Sequence, residues 1–180
     1  MKFFAVGCSI LLLVLATARA ADEYRQLLNV EPLPTALDRD FQFRKTKLFL
    51  LGYAVQSRPG KLSSVGGALR DPSIDFERSY RLHGAVTALD QRRLYGDYLD
   101  FFWRAKRPAS ITVRLEYRTE TLRAATQARE VSYPNAKGSH KTSFAIIGDD
   151  FATDGRILAW RCLLIEKDRI VAENKSYLWR

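Results

Sequence analysis

The sequence predicts an all-β protein, an antiparallel two-sheet β-sandwich of about seven strands that follows an N-terminal signal and an N-terminal arm. Three observations lead there. From Asp97 to Thr119 the apolar residues Leu99, Phe101, Trp103, Ile111, Val113 and Leu115 share one parity, with polar residues on the other and Lys106-Arg107-Pro108 between the two halves. A second apolar pair of runs flanks Lys167-Asp168. Short apolar runs separated by turn chemistry recur from Ile74 to the C terminus, the spacing of sandwiches and barrels.

Taken from the beginning, residues 1–20 read as an export signal. Lys2 supplies a minimal positive region, Phe3 to Leu15 is apolar, and Ala18-Arg19-Ala20 fits the small-x-small cleavage pattern. The apolar run falls short of the roughly 18 to 20 residues that span a bilayer. The expectation is therefore an exported, periplasmic or extracellular protein of a bacterial envelope, with no transmembrane segment after cleavage. Cys8 sits near the start of the signal, where a lipidated cysteine would end it, and leaves with it. Cys162 then stands alone, so no intramolecular disulfide forms and the core must carry the stability.

The chain carries 29 basic and 20 acidic residues. Removing Lys2 and Arg19 with the signal leaves 27 basic against 20 acidic residues, a net charge of +7. Such a balance can attract polyanions, anionic lipid head groups or acidic glycans. The preferred reading is a solvated, Arg-rich surface, because the basic residues are spread along the chain without a long run. Nucleic acid is disfavoured, because export removes such partners and no RNP, zinc-knuckle or helix-turn-helix pattern is present.

Residues 21–72 form the arm. Tyr24 to Leu28 offers at most a turn or two of helix, stopped by Pro32-Leu33-Pro34. Phe41 to Val55 is apolar and aromatic, which leans towards a buried strand and leaves a short helix as the alternative. Ser57 to Pro72, with Arg58-Pro59-Gly60 and Gly66-Gly67, is loop chemistry.

The sandwich domain is expected over residues 73–180. Ile74, Phe76, Tyr80, Leu82, Val86 and Ala88 alternate with polar residues as in a half-buried strand, and Asp90 to Gly96 reads as a connector. Folded at Lys106-Arg107-Pro108, the next stretch becomes a hairpin pairing Trp103 with Ile111, Phe101 with Val113 and Leu99 with Leu115. Its other face pairs Phe102 with Thr112, Asp100 with Arg114 and Tyr98 with Glu116. Gln127 to Tyr133 and Thr142 to Ile147 are weaker strands separated by Pro134 to Gly138, and Asp149 to Gly155 is a turn-rich connection. The terminal hairpin pairs Leu164 with Val171, Leu158 with Tyr177 and Ile157 with Leu178, with Ile157 to Ile165 central and its polar partner at an edge. Trp103, Phe101, Leu115, Trp160 and Leu164 are the expected core.

From Asp97 onward the order of strands, the turn at Asp154-Gly155 and the terminal hairpin resemble immunoglobulin-like and fibronectin type III-like sandwiches. The resemblance covers roughly residues 73–180, lacks the paired cysteines of antibody domains and implies architecture without an active site. The whole chain is also similar to small exported bacterial proteins of uncharacterised function.

The candidates for chemistry are few. His83 and His140 have no cysteine or second histidine at ligand spacing, so no metal site is expected. Ser139-His140 lacks a Gly-x-Ser-x-Gly elbow, and a hydrolase would need a site assembled from loops around His140 or His83. Asp149, Asp150 and Asp154 before Gly155 miss the alternating spacing of a calcium loop. No cofactor is implied. Asn174-Lys175-Ser176 matches a glycosylation sequon within an expected strand. The aromatic and basic set Tyr95, Tyr98, Phe102, Arg104, Arg114 and Arg118 lies on or near the outward side of the central hairpin, a composition suited to sugar rings or a partner protein. The reading that follows is an exported, non-enzymatic module that binds a partner protein or an envelope or extracellular glycan, with a loop-assembled hydrolase as the alternative. A third expectation is self-association through the edge at Lys175 to Arg180.

Overall fold

The computed structural model describes residues 24–27, 30–52 and 72–180. The signal segment and the Gly/Ser/Pro loop before Pro72 lie outside the described residues. The described chain is mostly antiparallel sheet. In order it runs β1 (Arg25–Leu27), β2 (Phe41–Leu51), α1 (Pro72–Arg81), α2 (Ala88–Leu94), β3 (Gly96–Thr119), β4 (Gln127–Ile147), α3 (Asp149–Asp154), β5 (Ile157–Glu166) and β6 (Arg169–Lys175). All six strands belong to one hydrogen-bonded sheet, in the order β1-β4-β3-β5-β6 with β2 also on β3.

Two long strands organise this sheet. β3 has 24 residues and β4 has 21, so the hairpin expected at Lys106-Arg107-Pro108 is instead one continuous strand, and the two weaker strands around Pro134 are another. The prolines still matter. Register shifts between Ala105 and Ala109, and again between Ala109 and Ile111, interrupt the β3–β4 ladder where Pro108 and Pro134 fall. Neither proline can donate to a ladder, so both sit where pairing lapses and the strands bend.

The bend divides the sheet into two arms. One arm contains β2, the first part of β3 from Gly96 to Ala105, and the last part of β4 from Gly138 to Ile147. The other contains β1, the first part of β4, the rest of β3, β5 and β6. Their inner faces share one core that includes Leu99, Phe101, Trp103, Ile111, Val113, Leu115, Trp160 and Leu164. The expected strand pairs of Trp103 with Ile111, Phe101 with Val113 and Leu99 with Leu115 are not formed, and these residues share a core without being ladder partners. Phe101 stands edge-on to Trp160 at 5.3 Å, to Phe144 at 6.1 Å and to Phe43 at 6.2 Å, so one ring touches both arms. The expected polar pairs of the hairpin are not formed. Arg114 pairs with Glu130 at 2.6 Å, and Asp100 with Lys141 at 3.0 Å.

Local chemistry explains the ends. Gly96 has φ 149°, and a Cβ there would collide with the Ile146 carbonyl, so the opening of β3 against β4 requires glycine. At the β5–β6 tip Lys167 and Asp168 both have positive φ, the geometry of a two-residue hairpin turn. Near the tip the pairing is as expected. A bulge between Leu164 and Ile165 then shifts it, setting Leu164 against Ala172 instead of Val171. β6 ends at Lys175, so the pairs of Leu158 with Tyr177 and Ile157 with Leu178 are absent and no edge strand runs on to Arg180.

The segment from Ile74 to Ala88 is a correction: it is helical at its start, not a half-buried strand. Local signals prevail because its alternating apolar residues are not buried. Ile74, Phe76, Tyr80 and Val86 are all exposed. Pro72 opens α1, Glu77 and Arg81 pair one helical turn apart at 2.7 Å, and Phe76 stacks on Tyr80 at the same spacing. Gly84 at φ 86° turns the chain after the helix. The connector expected at Asp90 to Gly96 begins inside α2, which carries a capping box from Thr87 and Asp90. Two smaller corrections are of the same kind: residues 25–27 pair with β4 as a strand instead of turning helically, and Asp149–Asp154 is a short helix. β2 confirms the strand reading of the run from Phe41, but with Leu48 and Leu50 exposed it is an edge, not a buried strand. No described helix is long and apolar enough to cross a membrane.

Candidate functional site

The bend separates the residues expected to form one aromatic and basic face. Phe102 and Arg104 lie on the outer face of the first arm, whereas Arg114 and Arg118 lie on the outer face of the second. Tyr95 and Tyr98 are each only 8 % exposed. The Tyr98 hydroxyl donates to the Leu94 carbonyl at 2.6 Å, and Arg81 lies 4.0 Å above its ring. Burial and the nearby Arg81 act on this phenol in opposite senses; burial dominates and raises its pKa.

On the second arm the charges around Glu116 are internally matched. Glu116 is buried and takes Arg161 at 2.6 Å and Arg114 at 3.8 Å, while Arg114 also holds Glu130. Arg118 and Arg161 lie against the Trp179 ring at 4.7 and 5.2 Å. A closed set of this kind holds the surface together and leaves little charge for a ligand.

The first arm differs. Cross-strand pairing sets rows of side chains on its outer face: Lys45, Phe102 and Lys141 in one row, Lys47, Asp100 and Ser143 in the next, and Gln42, Arg104 and Ser139 on the other side. Lys45, Lys47, Arg104 and Lys141 are exposed around the half-buried Phe102. Lys141 lies 5.8 Å from the Phe102 ring centre and binds Asp100. Among the described residues, Lys45, Lys47 and Arg104 have no carboxylate at ion-pair distance. Helix α1 covers the lower rows through Arg81, which reaches Asp100 at 3.7 Å and covers Tyr98. The upper rows stay open. This surface is a flat strip of cations around one aromatic ring, and it can hold a polyanion by charge while stacking a planar or ring-shaped group on Phe102.

Lys45, Lys47 and Lys141 were not in the expected set. Their signal is the spacing of Lys45 and Lys47, two apart as on one face of a strand. Placing them beside Phe102 requires knowing that β2 pairs with the first part of β3.

The histidines occupy ordinary positions. His140 stacks on Trp103 at 4.6 Å, leans on Tyr133 at 5.7 Å, and its Nε2 lies 3.1 Å from the Lys137 carbonyl oxygen. Its described contacts include no carboxylate. His83 is exposed in the turn after α1. Of the aspartates after β4, Asp150 holds Arg129 at 2.5 Å and Asp154 accepts from Gln127 at 2.8 Å. Among the described residues no group of three or more His, Cys, Asp or Glu is placed to hold a metal ion. Cys162 is fully buried, and burial pushes its thiol pKa well up, away from reactivity.

Comparison with protein-family models, curated proteins and solved structures finds no match to this chain.

Proposed function

We propose that this chain is an exported, non-enzymatic binding module whose outer strip around Phe102 recognises an acidic glycan, the two arms of its folded sheet serving as the layers of a sandwich. The observation that carries the reading is the cluster of cations without an ion-pair partner among the described residues, Lys45, Lys47 and Arg104, about a half-buried aromatic ring on two adjacent strands. A sugar ring stacks on Phe102 while its carboxylate or sulfate groups meet the cations. A face of fixed strands whose apolar group is the half-buried Phe102 ring suits a glycan better than insertion into a membrane.

The test is titration with a heparin-derived oligosaccharide, with neutral dextran as control, at two salt concentrations. Saturable binding that weakens with salt is expected, with no dextran binding. Phe102→Ala should weaken it about tenfold, and Lys45→Gln with Arg104→Gln by more. Unchanged affinity in both variants, or equal binding of dextran, would overturn the reading.

A further inference from the structure

A groove of the described structure lies elsewhere, where the edges of the two arms part between β2 and β6. Its volume is about 660 Å³, within the range of small-molecule sites. At one end the Asn174 side-chain amide donates to Thr46 Oγ1 at 2.7 Å. At the other, residues 34–38 run beside the start of β6, where Ala36 N–H donates to the Ile170 carbonyl and Asp38 N–H to the Val171 carbonyl, both at 2.9 Å.

The lining is divided by chemistry. Phe41, Phe43, Val171 and Ala172 present the flank of the core. Arg39 and Arg44 are exposed at the rim and have no carboxylate partner among the described residues. The carboxylates that share the groove are engaged: Asp38 with Arg107 at 3.1 Å, and Glu173 towards Arg161 at 3.9 Å. The free charge at the rim is therefore positive.

The strand edges themselves are unsuited to an added strand. β2 carries a register shift between Phe43 and Lys45, which leaves Arg44 as the extra residue, and β6 carries Val171 as the extra residue opposite the step from Leu164 to Ile165. Bulges of this kind break an edge ladder and re-aim side chains. With strand addition blocked, what remains is an apolar wall beside two unpaired guanidiniums.

We infer that this groove binds a small amphipathic anion, an apolar chain or ring laid against Phe43 and Ala172 with its carboxylate held by Arg39 and Arg44. Lys45 lines this groove and also belongs to the strip around Phe102, so the two sites adjoin, but the carboxylate is held here by Arg39 and Arg44, which lie outside the strip.

The test uses sodium decanoate below its micelle concentration, followed by calorimetry, with decanol as the uncharged control. Saturable decanoate binding at least tenfold tighter than decanol is expected, with a loss of tenfold or more in the double variant Arg39→Gln, Arg44→Gln. Ala172→Trp fills the groove and should abolish binding; its thermal melt checks that it still folds, and the surface double variant gives the answer if it does not. Absence of saturable heat to millimolar decanoate, equal affinity for decanol, or unchanged affinity in the double variant would each overturn the assignment.

Discussion

Asp97 Oδ2 accepts a hydrogen bond from the Ile157 backbone N–H at 2.8 Å, tying the first turn of β3 to the first residue of β5. Residues sixty apart in sequence thus hold the free ends of the two arms together, opposite the bend.

Burial raises the Asp97 pKa; the bond from Ile157 and the charge of Arg156 oppose it without cancelling it. The folded state therefore binds the proton more tightly than the unfolded chain does. Stability from this group is present below its ordinary carboxylate range and lost as pH rises through the raised folded value. Asp97→Asn keeps an acceptor for Ile157 and removes the titration. The variant should gain stability relative to wild type between acid and neutral pH, read from urea melts across that interval. A difference that does not change with pH would refute it.

Arg107 acts with the opposite sign. Its guanidinium makes two bonds of 2.6 Å to Glu166 and one of 3.1 Å to Asp38. The Glu166 pKa is lowered chiefly by Arg107, and that of Asp38 by the Asp40 N–H first and Arg107 second. Their stabilising effect is present above the ordinary carboxylate range and lost as pH falls through the lowered folded values. Arg107→Gln should lower the melting temperature at neutral pH, by a margin that shrinks towards about pH 2 as the two carboxylates take up protons. Parallel curves for variant and wild type down to that pH would count against the linkage.

Thr142 is wholly buried and accepts from Trp103 Nε1 at 2.9 Å, with the Tyr133 hydroxyl 2.8 Å from the same oxygen. Thr142→Val keeps the shape and orphans the indole N–H, at a cost of about 1–3 kcal/mol in denaturant melts. Phe101→Ala removes the ring that touches both arms and should cost about 3–5 kcal/mol. A smaller loss for Phe101 than for Thr142 would show that the arms are not joined through that ring.

Glu116 and Arg161 meet at 2.6 Å with the carboxylate buried. Glu116→Gln leaves Arg161 with solvent to turn to, whereas Arg161→Met leaves a buried carboxylate with only the more distant Arg114 at 3.8 Å. The arginine change should therefore be the more damaging, by about 1–2 kcal/mol. A double-mutant cycle measures the difference, and equal losses would contradict it.

The hairpin tip offers a change in the other direction. Lys167 and Asp168 both occupy positive φ, which costs a side chain energy and suits Asn-Gly. Lys167→Asn with Asp168→Gly should raise stability by about 0.5–1 kcal/mol, visible as a higher melting temperature.

Much of the core was legible from parity alone. Leu99, Phe101, Trp103, Ile111, Val113 and Leu115 are buried as expected, because strand alternation fixes the face whatever the partner. Pairing was less legible. Lys106-Arg107-Pro108 has the composition of a turn, and a bent continuous strand satisfies the same composition by suspending the ladder at the prolines. Ile74 to Ala88 departs for a different reason: its alternation resembles that of a half-buried strand, while Pro72, the Glu77–Arg81 pair and the Thr87 cap encode helix in short-range contacts. The candidate strip was half visible. Phe102 and Arg104 came from one strand, but Lys45 and Lys141 arrive through long-range pairing that no local pattern announces.

Because β3 and β4 each run through the bend, neither arm owns its central strands. Cutting the chain near Ala105 would split a single long ribbon rather than release one half intact. The protein is thus a cooperative unit in which the arms form and melt together, and no excised half should keep a fold of its own.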